Sequence, residues 1–505
     1  MHRFRASCTG VRSHQADRAA SFHIFDGKFL WHSSCVLPAA LNCVNPVLWQ
    51  NMLGELAKMK RLTVLVAATL AIGVIAGAAN AQISFDPQTY RQMADANSAS
   101  TIAPGTKITL QNWQQYKQFM PLWLQAAYGG NYHWHLGPEP DFTINVTPSS
   151  HFPVPAKMRE NSEKYGAQTQ LQPLPTGGFL MKNYVAGIPF PSPAGPNAGV
   201  KILYNTWATF RPFVLHFYST TWLVDRFGNV SSEQTDDTFY QLTHLSEPNM
   251  PVNLPYAKGA FYVSRFMVTE PEQSKYTTEL TIQPDDASKP LEIYVFLPSL
   301  RRSLRLSSAA RCAPTLGTDF IEDDNSWLPV NFKVNLIGEK RLLVPIAVAD
   351  LKIASDPRSY VGGRPGEAQG TFPGWGRPDV VKWQLRDLYV LNIQWLSNLG
   401  PYCEPQRIFY VDKENWIAPY TEAYDNNNKF WKLLELTRIP TAYRSDNTIL
   451  NDGDVNASGY DFQNSHATVG VDGTQDGITI DENVAAEYRD AEVLATPGGL
   501  SRIMK

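Results

Sequence analysis

The stretch VKWQLRDLYVLNIQW, residues 381–395, decides how this chain folds. Its apolar residues Trp383, Leu385, Tyr389, Leu391, Ile393 and Trp395 fall at every second position, with Lys382, Gln384, Arg386, Asn392 and Gln394 between them. Side chains of a strand point alternately to opposite faces, so this reads as a β-strand with one dry and one wet face. Such a strand belongs to an antiparallel sheet buried on one side. The dry face must be covered by helices, by the sheet itself or by a ligand.

The period of two extends outward over residues 212–440. Strands are expected at 215–224 and 230–242 around Asp225-Arg226-Phe227-Gly228-Asn229, at 260–270 and 276–283, and at 291–297 and 303–306. Further strands are expected at 332–337 and 340–346 around Gly338-Glu339, then at 406–411, 416–424 and 430–438. Short turns join most of them, which means antiparallel pairing. Upstream the period changes to that of helices, at 112–127 (broken by Pro121), 155–165 and 198–210. The expected organisation is a helix-rich part at 82–210, an antiparallel β part at 211–440 and a polar tail at 441–505. The tail carries eleven Asp/Glu against four Lys/Arg, and only 481–494 in it reads as helical. The fold class is mainly β with helices.

Residues 1–81 read differently. Met59-Lys60-Arg61, the apolar run 62–76 and Ala79-Asn80-Ala81 supply the basic, apolar and small-residue regions of a secretory signal peptide. Residues 59–81 are therefore read as that peptide and 1–58 as an upstream extension, with an exported, soluble product. Of the five cysteines, Cys312 and Cys403 lie beyond this segment. In an exported chain they form a candidate disulfide, the alternative being two separate thiols.

The whole chain has a formal net charge of −3. A nucleic-acid partner is thereby disfavoured, because no basic field is available to hold phosphates. His133, His135, Glu139 and Asp141 offer metal-ligand chemistry, but Pro138 and Pro140 make the segment a loop, read here as metal-free. Asp452-Gly453-Asp454-Val455-Asn456 opens like an EF-hand but places Ala457 where Gly is needed and Gln463 where Glu is needed. It reads as a turn-rich linker. Asp319, Glu322, Asp323 and Asp324 read as a solvated helix start. Arg301, Arg302 and Arg305 form a basic patch, suited to a lipid headgroup or acidic partner, or else to guarding an exposed strand edge. The Gly- and Pro-rich segment 355–378 is long enough for a lid. A nucleophile elbow, a phosphate-binding loop and a zinc-protease helix are absent, so no catalytic residue, cofactor or metal is expected.

Three groups of residues resemble a known family. They are Gly187-Ile188-Pro189-Phe190-Pro191 with Tyr204-Asn205, then Val334 to Lys340 running on to Val344-Pro345, and finally Gln406 to Asp412 with Trp416, Tyr424-Asp425 and Phe430-Trp431-Lys432. In this order the chain resembles bacterial outer-membrane lipoprotein-sorting-like proteins of unknown function, which are grouped with LolA/LolB-type carriers. The resemblance implies a curved antiparallel half-barrel closed by helices around an apolar cavity. It also implies a periplasmic location in a Gram-negative cell and an envelope transporter as a partner. The family offers no catalytic residue to assign.

Carriage has a physical rationale, since each methylene exposed to water costs on the order of 0.8 kcal/mol. With 13 Trp, 22 Tyr and 24 Phe, the chain is rich in rings that can shield such a guest. Trp207, Trp222, Phe261, Phe266, Trp383, Tyr389, Trp395, Phe409, Trp416 and Trp431 are the candidate cavity lining. The expected function is binding and carriage of a lipid, an acylated protein or another apolar molecule. An envelope glycan-binding module or hydrolase with an aromatic groove is the alternative.

Overall fold

The computed structural model describes residues 23–25, 28–30, 83–129, 143–227, 229–307, 311–325, 328–347, 381–443, 448–473 and 478–500. The chain divides into two compact units, 1–79 and 80–505. In the first, the described residues form a small antiparallel hairpin, His23–Phe25 with Lys28–Leu30. The expected signal peptide, the 133–141 loop and the 355–378 loop lie outside the described residues.

The second unit is built on one sheet of fourteen strands. In chain order these are β1 Val214–Val224, β2 Val230–Gln241, β3 Ala260–Glu270, β4 Thr278–Pro284, β5 Glu292–Leu297 and β6 Arg302–Arg305. Then come β7 Phe332–Ala347, β8 Val381–Trp395, β9 Gln406–Asp412, β10 Tyr420–Tyr424, β11 Phe430–Tyr443, β12 Thr448–Asp461, β13 His466–Asp472 and β14 Thr479–Ile480. Strands β1 to β6 make one antiparallel meander and β7 to β13 a second. The seam is β13 on β1, with Ala467 opposite Val224 and Asp472 opposite Ser219. The second meander curls until Ile346 of β7 meets Arg438 of β11 by a single parallel bridge, while β6 remains an edge.

The seam strand lies inside the segment expected to be a polar tail. Residues 448–461 and 466–472 are central strands, and Asp452, Gly453 and Asp454 belong to β12 instead of a linker. Gly and Asp depress strand propensity, so the signal of period two was diluted there. A second correction concerns Gly338-Glu339. The turn expected there is absent, and β7 runs through as a sixteen-residue strand. Its register against β8 shifts between Leu336 and Gly338, which marks a bulge. A two-residue hairpin turn favours Asn-Gly or Asp-Gly, whereas a glycine inside a strand often marks a bulge.

Both faces of the sheet are covered, which corrects the wet-face reading of 381–395. On one face an N-terminal layer carries the helices α1 Pro87–Arg91 and α2 Leu122–Tyr128, the latter starting just after Pro121. Tyr90, Trp123 and Leu124 of this layer pack with Leu388 and Val390 of β8, all fully buried. The polar residues of that face find partners under it. Arg386 pairs with Asp412 at 2.7 Å and Glu414 at 2.9 Å, and the Gln384 side chain accepts from the Ser150 amide.

The opposite face carries α3 Ala156–Tyr165 and α4 Ala198–Trp207, whose Met158, Ile202 and Leu203 pack with Leu391 and Ile393 of β8. Helix α4 lies close on β7 because position 199 is glycine. A Cβ there would stand 3.0 Å from the Leu336 amide nitrogen. Asn205 grips the Phe190 backbone, accepting from its N–H at 2.9 Å and donating to its carbonyl at 2.8 Å. That contact ties the Gly187–Pro191 segment to the Tyr204-Asn205 end of α4.

Candidate functional site

Residues 311–325 leave the sheet as a strap and cross the face that carries α4. A disulfide between Cys312 and Cys403 anchors the strap beside β9, with 6.0 Å between the Cα atoms. Its acidic residues are buried, correcting the solvated-helix reading. Asp324 pairs with Arg407 at 2.7 Å, Arg407 also pairs with Glu404 at 2.6 Å, and Lys432 pairs with Glu404 at 3.2 Å. Tyr402 donates to Asp323, and Thr468 of β13 donates to Asp319. His466 adds an ion pair to Asp319 at 2.5 Å, which holds its imidazole pKa above the usual value. Glu322 lies beside Glu279 of β4, close enough for the two carboxyls to influence each other's ionisation. Burial, and for Glu322 the neighbouring charge of Glu279, push the pKa of Glu279 up to about 7 and of Glu322 up to about 8.

Between the strap, the end of α4 and the sheet lies a cavity of about 390 Å³. Its walls come from β1, β2, β3 and β4 of the first meander and from β9 to β13 of the second, so the sheet curves around it. Trp207, Phe217, Phe239, Tyr262, Phe266, Phe320 and Phe409 supply rings, and Leu215, Leu434 and Leu436 supply aliphatic surface. The floor is polar. Ser219 and Thr221 of β1, Glu233, Thr235 and Asp237 of β2, and Thr468 and Asp472 of β13 face the same space.

Of the ten aromatic residues proposed from sequence, Trp207, Phe266 and Phe409 line this cavity. The other seven pack elsewhere. Phe261 stacks behind Trp207, ring centroids 4.3 Å apart. Trp222 and Trp383 belong to the core under the N-terminal layer. Tyr389 stacks on Trp416 at 5.7 Å, and Trp395 stacks on Tyr402 at 4.4 Å. Trp431 donates its indole N–H to Asp461 at 2.9 Å. Period two says that a ring points to a face of a strand, but it does not say which layer waits there.

Arg301, Arg302 and Arg305 are exposed at the outer edge of the sheet, and none of them lines the cavity. Arg305 pairs with Glu292 at 3.4 Å. The polar floor escaped the sequence reading because Glu233, Thr235 and Asp237 look like a solvated face and Asp472 lay in the supposed tail. The available signal was the alternation in 215–221 and 233–239, which aligns these residues with Phe217 and Phe239.

Asp237 is 2 % exposed. Burial pushes its pKa up to about 7, against the opposing pull of hydrogen bonds from Ser219 and Thr235. Burial likewise pushes Glu233 up to about 7. The site thus sets neutralisable carboxyls and hydroxyls beside a wall of rings. That combination holds an amphipathic molecule by contact area at one end and by hydrogen bonds at the other.

Residues 107–493 match the model of the family described as protein of unknown function, DUF1329. The chain belongs to that family. An uncharacterised protein of Pseudomonas aeruginosa is 21% identical over 293 residues, covering 56% of this chain and 59% of its own length. The chain therefore spans about three fifths of that relative. A crystal structure of a DUF1329 family protein from Desulfovibrio piger is similar at 13% identity and a TM-score of 0.40, over 58% of this chain and 96% of that one. A LolA superfamily protein from Nitrosomonas europaea is similar at 10% identity and a TM-score of 0.32, over 57% and 96%. Among the described residues of this DUF1329 chain, no helix is long and apolar enough to cross a membrane.

Proposed function

We propose that this DUF1329 protein is a non-catalytic carrier of the bacterial envelope, holding the apolar part of a lipid or acylated guest between the sheet, α4 and the strap. The observation that carries the reading is a cavity lined by rings from both meanders. Its volume of about 390 Å³ falls within the roughly 300–1,000 Å³ of small-molecule sites. Rings held on a sheet are preorganised, so little ordering cost opposes binding. The signal-peptide pattern at 59–81 and the Cys312–Cys403 disulfide support an exported, periplasmic protein. An envelope transporter is the partner that would load or unload the guest.

The test is extraction and mass spectrometry of small molecules that co-purify from the native compartment, followed by titration of delipidated protein with a fluorescent alkyl probe. Recovery of an alkyl-bearing guest and saturable probe uptake are expected. Protein that yields no such guest and takes up no probe overturns the reading.

A further inference from the structure

The cavity floor contains a buried acid with an unused acceptor. Strand β2 sends Glu233, Thr235 and Asp237 toward the cavity at every second position. Ser219 Oγ lies 2.5 Å from Asp237 Oδ2 and 2.8 Å from Asp472 Oδ1. A hydroxyl has one proton, so Ser219 serves one of these carboxyls at a time. Thr235 donates to the same Oδ2 at 2.9 Å. Asp237 Oδ1 has no hydrogen-bond partner among the described residues, although the residue is buried.

Two of the cations nearby are committed elsewhere. Arg407 pairs with Asp324 and Glu404. Arg211 donates to the Trp207 carbonyl and lies over the ring of Tyr262 at 4.6 Å. Arg265 lies 3.7 Å from Asp236, the neighbour of Asp237 outside the cavity lining, and its charge also favours an ionised Asp237, but it makes no hydrogen bond to Asp237 Oδ1. A buried carboxyl left with an empty acceptor is costly, and a charged donor is the partner that offsets the cost best. With Glu233, Asp237 and Asp472 on one floor, an anionic head would meet like charge.

We infer that the polar end of the guest is a cationic nitrogen, an alkylammonium group received at the Asp237 carboxyl, with the alkyl part directed toward Trp207, Phe266 and Phe409. The inference rests on the carrier reading and names the class of guest. It separates the specificity of the site from its greasiness. The rings accept any chain, while the floor discriminates among heads.

The experiment titrates delipidated full-length protein with an alkylamine, an alcohol and a carboxylate of equal chain length, each displacing the fluorescent alkyl probe. The amine is expected to bind at least about tenfold more tightly than the alcohol, equivalent to about 1.4 kcal/mol, with the carboxylate weakest. In Asp237→Asn the amine-to-alcohol ratio is expected to fall below about threefold. Glu233→Gln, in a half-buried position, serves as the second variant and is expected to lower the ratio without loss of folding. Equal binding of amine and alcohol, tighter binding of the carboxylate, or ratios unchanged in both variants overturns the inference and leaves the carrier reading standing. Failure of all three chains to displace the probe, or of the probe to bind, overturns both.

Discussion

Two buried carboxyls on opposite faces of this sheet have contrasting surroundings. Glu422 of β10, under the N-terminal layer, is fully buried and completely served. Its oxygens accept from Tyr90 at 2.6 Å, Tyr410 at 2.8 Å, Tyr424 at 3.0 Å and the Trp123 amide at 3.1 Å. Burial raises its pKa, and those hydrogen bonds oppose the rise. Asp237, on the cavity face, is almost as buried and has one oxygen unserved. The first arrangement ties α1 and α2 to the sheet and has no acceptor to spare. The second is incomplete in the protein alone. Satisfied buried polar groups hold architecture, and unsatisfied ones next to a cavity mark where a guest completes the hydrogen bonding.

The contrast is broken most severely at Glu422. Glu422→Ala removes the shared acceptor of three buried tyrosine hydroxyls and is expected to destabilise the fold by about 3–5 kcal/mol, seen as a lower denaturant midpoint. A loss comparable to that of Asp237→Asn, expected within about 1 kcal/mol, would erase the distinction between the two acids. Next comes the strap. Replacing Cys312 and Cys403 together by Ser is expected to cost about 2–4 kcal/mol, with faster hydrogen exchange at 311–325 and unchanged exchange at 90–128. Equal loosening of both faces would contradict a strap that acts on the cavity side alone.

The Glu279–Glu322 contact gives a smaller, pH-dependent effect. The folded protein keeps protons on both carboxyls that the unfolded chain releases near pH 4.5, so this contact favours folding at low pH. Its contribution is lost as pH rises toward about 8. Glu322→Gln should flatten the decline in urea midpoint between about pH 5 and pH 8.5, and an unchanged slope would show that the pair is not responsible. The smallest effect is at the sheet edge. Arg305→Ala removes an exposed pair and should change stability by under about 0.5 kcal/mol, with guest affinity unaltered. A marked loss of binding there would move the headgroup site from the cavity floor to the edge.

Much of the scaffold was legible in the sequence. Alternation located β1, β2, β3, β8, β9 and β11 to within a few residues, because a strand with a buried face repeats every second position. Pro121 broke the first helical stretch where α2 begins, since proline lacks the N–H a helix interior needs. The site was far less legible. Trp222 and Phe266 carry the same local signal, a ring in an alternating strand, yet one packs under the N-terminal layer and the other faces the cavity. Asp237 and Glu233 look solvated in sequence because a polar strand face gives no sign of what covers it. The acids at 319–324 failed for the same reason, their partners Arg407, Lys432 and Thr468 lying far away along the chain.

By itself the sequence determined the alphabet of elements: an antiparallel meander of alternating strands preceded by short helices. Those features depend on interactions between near neighbours, whose spacing is written directly in the chain. The tertiary structure alone decided that 466–472 would join the two meanders, that the strap would cross β9 and β13, and that one oxygen of Asp237 would lack a partner. Burial and hydrogen-bond satisfaction at those points are set by residues hundreds of positions apart, and no local pattern encodes that meeting.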